Sequence, residues 1–102
     1  MSGSYKYALD WQDTIRLSVR WRTRRREVVD YAVALLALKS DGWETIRVYD
    51  GAHGVNDMHR YTRSGGKQPP VVFHEGTLGE GMRAAVRDVR DGWAEMIEGW
   101  RR

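Results

Sequence analysis

A chain of 102 residues, 41% of them apolar, carries enough material for one domain with one core and too much for a disordered segment. The absence of cysteine excludes a disulfide framework and any thiolate metal site. A formal charge of +3 cannot by itself argue for nucleic-acid binding, so the placement of the charges has to decide.

The residues Tyr5, Tyr7, Leu9 and Trp11 alternate with Lys6, Ala8 and Asp10, the period of a half-buried strand, and Gln12-Asp13 reads as a turn. Next, Ile15, Leu17, Val19 and Trp21 alternate with Thr14, Arg16, Ser18, Arg20 and Arg22. This second strand sets Arg16, Arg20 and Arg22 on one face. The pattern breaks at Thr23-Arg24-Arg25-Arg26, which predicts a loop or the wide end of a hairpin. Val28 to Lys39 is apolar nearly throughout and admits a buried strand or a helix. The hairpin signal Asp41-Gly42 and the strand formers of Trp43 to Asp50 favour the strand.

Gly51 to Asn56 is a loop bracketed by Gly51 and Gly54, which allow conformations that larger residues resist. Asp57 to Arg63 predicts a short strand, with Met58, Arg60 and Thr62 on one face and His59 and Tyr61 on the other. Ser64 to Pro70 has a loop composition, and Val71-Val72-Phe73 is a last short strand. Thr77 and Glu80 form a capping box, after which Leu78, Met82, Val86, Val89, Trp93, Met96, Ile97 and Trp100 recur at steps of three and four. Gly81 and Gly92 weaken this helix by about 1 kcal/mol each relative to Ala. Burial of each stripe residue contributes about 1.5–3 kcal/mol, which outweighs both glycines. The expected class is α+β: an antiparallel β-meander of about five to six strands packed against one C-terminal amphipathic helix, forming a single domain over residues 1–102. The longest apolar run, Tyr31 to Leu38, is too short to span a membrane, and Met1 to Lys6 has no apolar run behind it, so no signal peptide is expected. Those features lead to the expectation of a cytoplasmic protein without a membrane partner.

The densest polar constellation runs from Arg47 to Tyr61. A strand–loop–strand hairpin here would bring Asp50, His53, Asp57 and His59 near one another. One reading is acid–base chemistry, in which a histidine moves a proton, a carboxylate fixes its tautomer, and Arg47, Arg60 or Arg63 stabilises a charged phosphate. That set suits RNA cleavage without a metal or cofactor, with Tyr61 orienting a base or phosphate. A second reading makes His53, Asp57 and His59 metal ligands, although their spacing matches no established motif. A third is structural, with Asp50 capping the turn, His53 satisfying loop carbonyls and His59 bonded to a neighbour. His74, at the helix entrance, is expected to form local hydrogen bonds near the cap.

The arginines form two sets. Arg16, Arg20 and Arg22, followed at once by Arg24, Arg25 and Arg26, could bind single-stranded RNA through phosphate contacts with stacking on nearby Trp and Tyr. Arg83, Arg87 and Arg90 form a helical stripe near Glu80, Asp88 and Asp91, and are expected to be mostly paired with them.

At the histidine loop Arg47, Tyr49, Asp50, Ala52, His53 and Gly54, followed by His59, Arg60 and Tyr61, resemble an Arg-x-Tyr-Asp-x-Ala-His-Gly and His-Arg-Tyr signature of small bacterial proteins. That likeness covers most of the chain from Val28. More distantly, the strand order, the Tyr-Asp-then-His segment and the final helix are similar to the TumE-like toxins of toxin–antitoxin modules. This second likeness implies an RNA target and a cognate antitoxin as partner. Two functions follow as expectations. In the first, His53, His59, Arg60, Asp50 and Tyr61 act on RNA guided by the strand arginines, which requires His53 and His59 to converge at one accessible spot. In the second, the domain is a non-catalytic module offering a sheet edge or an arginine face to a protein partner or to a second copy of itself.

Overall fold

The computed structural model describes residues 1–102. Six antiparallel strands follow one another in the sheet in the order in which they occur in the chain. They are β1 (Ser2–Ala8), β2 (Ile15–Arg24), β3 (Glu27–Lys39), β4 (Gly42–Asp50), β5 (Asn56–Arg60) and β6 (Val71–His74), and the helix α1 (Leu78–Arg101) lies across one face. The class is therefore α+β, as the alternation and the capped apolar stripe predict.

Register explains where the core sits. Leu17 opposes Leu35, Val19 opposes Val33, and Trp21 opposes Tyr31, so the apolar rows of β2 and β3 share the face toward α1. Ile15, Leu17, Val19, Tyr31, Val33, Leu35 and Ala37 are buried there, together with Ala85, Val89 and Ile97 of the helix. Val28 to Lys39 is a strand rather than a helix, and its central place in the sheet accounts for its apolar run. Ala32, Ala34 and Leu36 occupy the opposite, outer face, where they are half-buried.

Two bulges alter the pattern. Leu35 pairs with Arg47 and Leu36 with Thr45, which leaves Ile46 as an extra residue in β4. Ile46 and Tyr49 are consequently both buried although their spacing is odd. In β3 the register shifts opposite Arg22 and Thr23, beside the exposed Val29.

Element ends differ from the sequence reading at several points. Leu9 and Trp11 lie outside β1, because the Asp10 carboxylate accepts from the amides of Thr14 and Ile15 (2.8 and 2.9 Å) and turns the chain, leaving Trp11 fully exposed. β2 continues through Arg24, and only Arg25 and Arg26 form the turn, both left-handed (φ 52° and 67°). The β3–β4 hairpin loop is Ser40-Asp41, with Gly42 (φ 129°) already paired to Lys39. β5 stops at Arg60, and Tyr61 forms an isolated bridge with Lys67.

The entry into α1 is fixed twice. The Thr77 hydroxyl accepts from the Glu80 amide, and Glu80 accepts from the Thr77 amide, each at 3.1 Å. Beneath this capping box Asn56 is 2% exposed; its Oδ1 accepts from the Tyr31 hydroxyl at 2.7 Å and its Nδ2 lies 3.2 Å from the carbonyls of both Gly76 and Thr77. A Cβ on Gly81 would collide with the Asn56 side chain. Gly81 is thus the residue that lets the helix close over Asn56. Gly51 has an ordinary φ and serves close approach instead, since a Cβ there would lie 2.9 Å from the Tyr31 ring. No helix is long and apolar enough to cross a membrane.

Candidate nucleic-acid interface

The fold divides the predicted catalytic set. Strand alternation sends His59 to the outer face with Val48 and Asp50, while Arg60 and Tyr61 line a cavity on the helix side. His53 stands exposed in the one-turn 3-10 segment Ala52–Gly54 with a left-handed φ of 67°, and its side chain makes no hydrogen bond to His59 or to either aspartate. No hydrogen bond or ion pair links the two imidazoles. Asp57 pairs with Asp50 across β4 and β5, and no group of three His, Asp or Glu side chains comes together to hold a metal.

What the outer face keeps is a pair. His59 Nδ1 donates to the Gln68 carbonyl at 3.0 Å, and its Nε2 faces Asp50 at 3.9 Å, beyond hydrogen-bond length. The other Asp50 oxygen accepts from the Ala52 amide at 3.2 Å, capping the loop. These side chains are only 15% and 20% exposed. His59 Nδ1 and one Asp50 oxygen thus have local structural partners, while His59 Nε2 and the other Asp50 oxygen make no hydrogen bond. His74 Nε2 is buried with no partner, so the hydrogen bond expected at the helix entrance is not made.

The strand arginines do share the outer face. Arg16, Arg20, Arg22 and Arg24 alternate along β2, but Arg16 is held by Asp13 at 2.8 Å and stacks on Trp43 at 4.2 Å, and Arg20 lies 3.6 Å from Asp30. Arg22 and Arg24 to Arg26 carry no ion pair. From β2 to β5 is three strand spacings, about 14 Å, which sets this row apart from His59 on the same face.

A second basic feature lies on the helix side. α1 packs over β3 and β4, leaving β1 uncovered, so Tyr5 and Tyr7 remain 40% and 39% exposed on the inner face. Their rings stack (5.9 Å, 8°), and the Trp21 ring meets Tyr5 edge-on at 5.9 Å. Trp21 reaches over β1 because it packs on Gly3, where a Cβ would collide with the indole. Facing Tyr5 and Trp21 across a cleft of about 340 Å³ stand Arg83, Arg87 and Arg90, above a floor of Val19, Met82 and Val86, with Tyr7 stacked on Tyr5 beside it. All three arginines are exposed, and none is in an ion pair, contrary to the pairing expected from their acidic neighbours. Burial and the Tyr7 hydroxyl push the Tyr5 phenol up, while the nearby Arg90 guanidinium pulls it down. The sequence reading missed this cleft. The available signal was that Tyr5 and Tyr7 fall on the core-facing parity of an edge strand while one helix cannot cover six strands.

Six meandering strands, one capped helix and two basic surfaces define this α+β domain. The whole chain, residues 1–102, matches the family model described as a domain of unknown function, DUF7718, and belongs to that family. No curated protein and no solved structure matches it.

Proposed function

We propose that this domain binds single-stranded RNA in the cleft between β1 and α1, by stacking bases on Tyr5, Tyr7 and Trp21 and holding phosphates with Arg83, Arg87 and Arg90. The observation that carries the reading is the meeting of half-exposed aromatic rings with three cations that have no carboxylate partner. Base stacking contributes about 1–3 kcal/mol per base, and an arginine releases counterions when it meets a phosphate. The helix arginines span seven residues, about 10 Å, long enough to follow a short stretch of backbone. RNA rather than DNA is suggested by the resemblance of the histidine loop to TumE-like toxins. Binding rather than cleavage is favoured because strand alternation sends His59 and Arg60 to opposite faces of the sheet, and cleavage needs its catalytic groups within reach of one phosphate.

The test is fluorescence anisotropy with a labelled oligouridylate, a single-stranded DNA of equal length and an RNA duplex. The wild type is expected to bind the single strand with an affinity that falls as salt rises, with a slope near −2 for three phosphate contacts. Arg87→Glu with Arg90→Glu should weaken binding by about tenfold or more, while His59→Ala leaves it unchanged and the RNA stays intact. Folded wild type that ignores RNA at low salt ends the proposal. Capture of an acidic protein through the same arginines, with no affinity for RNA, would transfer the site to the protein-partner reading.

A further inference from the structure

A cavity of about 240 Å³ opens on the helix side of β4 and β5, beside the C-terminal half of α1. Arg47 and Arg60 are directly opposed across the two strands and both line it. Like charges directly opposite each other on one face of a sheet are destabilising, so a fold that keeps two needs a reason. The Ile46 bulge supplies part of one. An extra residue in a strand re-aims the side chains beside it, and here Ile46 and its neighbour Arg47 both turn toward the helix. Neither guanidinium is in an ion pair. Glu95 lines the same cavity but stays beyond ion-pair distance of both, which leaves an excess of one positive charge. The helix end does not account for them either, because the Arg101 carbonyl already accepts from Arg63 at 3.1 Å. Burial pushes the Tyr49 phenol up and Arg47 pulls it back, in keeping with a guanidinium turned to this side of the sheet. Trp100 and Tyr61 form aromatic walls, with Trp100 fixed by its indole N–H donating to the Thr62 carbonyl at 3.3 Å.

We infer that Arg47 and Arg60 form a binding site for a small aromatic anion, a single ring bearing one phosphate or carboxylate group. The two planar guanidinium groups suit the oxygens of such a head group, and the walls suit the ring. The volume falls below the usual range for drug-sized ligands, which limits the occupant to about one ring and its charged group. The site is separate from the β1–α1 cleft and does not depend on RNA binding.

The experiment titrates the full chain with phenyl phosphate, benzoate and inorganic phosphate, read by calorimetry and by thermal shift. Wild type is expected to bind phenyl phosphate or benzoate saturably, and more tightly than inorganic phosphate; which of the two wins identifies the head group. Arg60→Gln should weaken that binding by about tenfold or more, as expected when a charged hydrogen bond is lost. Without ligand the same variant should melt no lower than wild type, because it relieves the cross-strand repulsion. A purely structural arginine would show the reverse, with a lower melting temperature. Arg60→Lys keeps the charge without the planar fork and should also bind more weakly, which provides a second variant if the first fails to fold. Failure of all three probes at millimolar concentration overturns the inference. So does unchanged binding in both variants, or inorganic phosphate binding as tightly as the better of the two aromatic probes.

Discussion

Replacing Gly81 with Ala tests the packing account by the sign of its effect. Helix propensity alone predicts a gain of about 1 kcal/mol, since glycine is the weaker helix former. The structure predicts a loss. A Cβ at position 81 would occupy the space of the Asn56 side chain. Asn56 is nearly sealed and joins the Tyr31 hydroxyl to the carbonyls of Gly76 and Thr77, so it cannot move aside without breaking those bonds. Overpacking costs about 1–3 kcal/mol, and leaving the buried Tyr31 hydroxyl unsatisfied costs about 1–3 kcal/mol more. After subtracting the propensity gain, the expected net loss is about 1–5 kcal/mol, a large share of the roughly 5–15 kcal/mol that holds a domain of this kind. Urea unfolding followed by tryptophan fluorescence and circular dichroism measures it directly. Gly92→Ala is the matched control: a Cβ there meets only the flexible Met96 methyl at 3.4 Å, so that variant should be neutral or more stable by up to about 1 kcal/mol. A Gly81→Ala protein as stable as Gly92→Ala would refute the reasoning.

Asn56→Ala should cost about 2–4 kcal/mol in the same assay, because it strands Tyr31 and leaves a void, with α1 losing its anchor at the N-terminus. The Arg25-Arg26 turn holds two non-glycine residues in the left-handed region, so Arg25→Asn with Arg26→Gly should raise stability by about 1 kcal/mol and the melting temperature by a few degrees. Acid should destabilise the fold through two carboxyls. Burial pushes Asp10 up, but the hydrogen bonds it accepts from Thr14 and Ile15 outweigh this and hold it below the usual range; the Thr77 amide and hydroxyl hold Glu80 low in the same way. The folded state then binds fewer protons than the unfolded chain, so the stability these groups contribute is present above the ordinary carboxylate range and is lost below about pH 4. A pH series of urea midpoints should show that loss, and Asp10→Asn should diminish it.

The fold was legible where one period dominates. β2 shows an uninterrupted alternation from Ile15 to Trp21, and α1 carries both its cap and its stripe in the residues themselves. The boundaries were less legible where an irregularity intervenes. Nothing in Glu44 to Val48 marks Ile46 as the bulged residue, because a bulge is set by the register of β3 against β4 and not by local composition. The candidate site suffered from the same cause. Neighbours in sequence such as His59 and Arg60 read as one cluster, but adjacent residues of a strand point to opposite faces. The cleft joins β1 to α1, segments more than seventy residues apart, and only the position of the helix over β3 and β4 leaves Tyr5 and Tyr7 open to it. Gly81 read as a helix weakness because its partner, Asn56, lies on a different element.

The most direct test of the cleft is ultraviolet cross-linking of the protein to oligouridylate, with the modified peptides mapped by mass spectrometry. Stacking in the cleft predicts adducts on Tyr5, Tyr7 or Trp21. Trp11, fully exposed in its turn, and Trp43, 37% exposed beneath Arg16 on the outer face, should remain unmodified. Adducts confined to Trp11 or Trp43, with β1 and Trp21 untouched, would contradict the account.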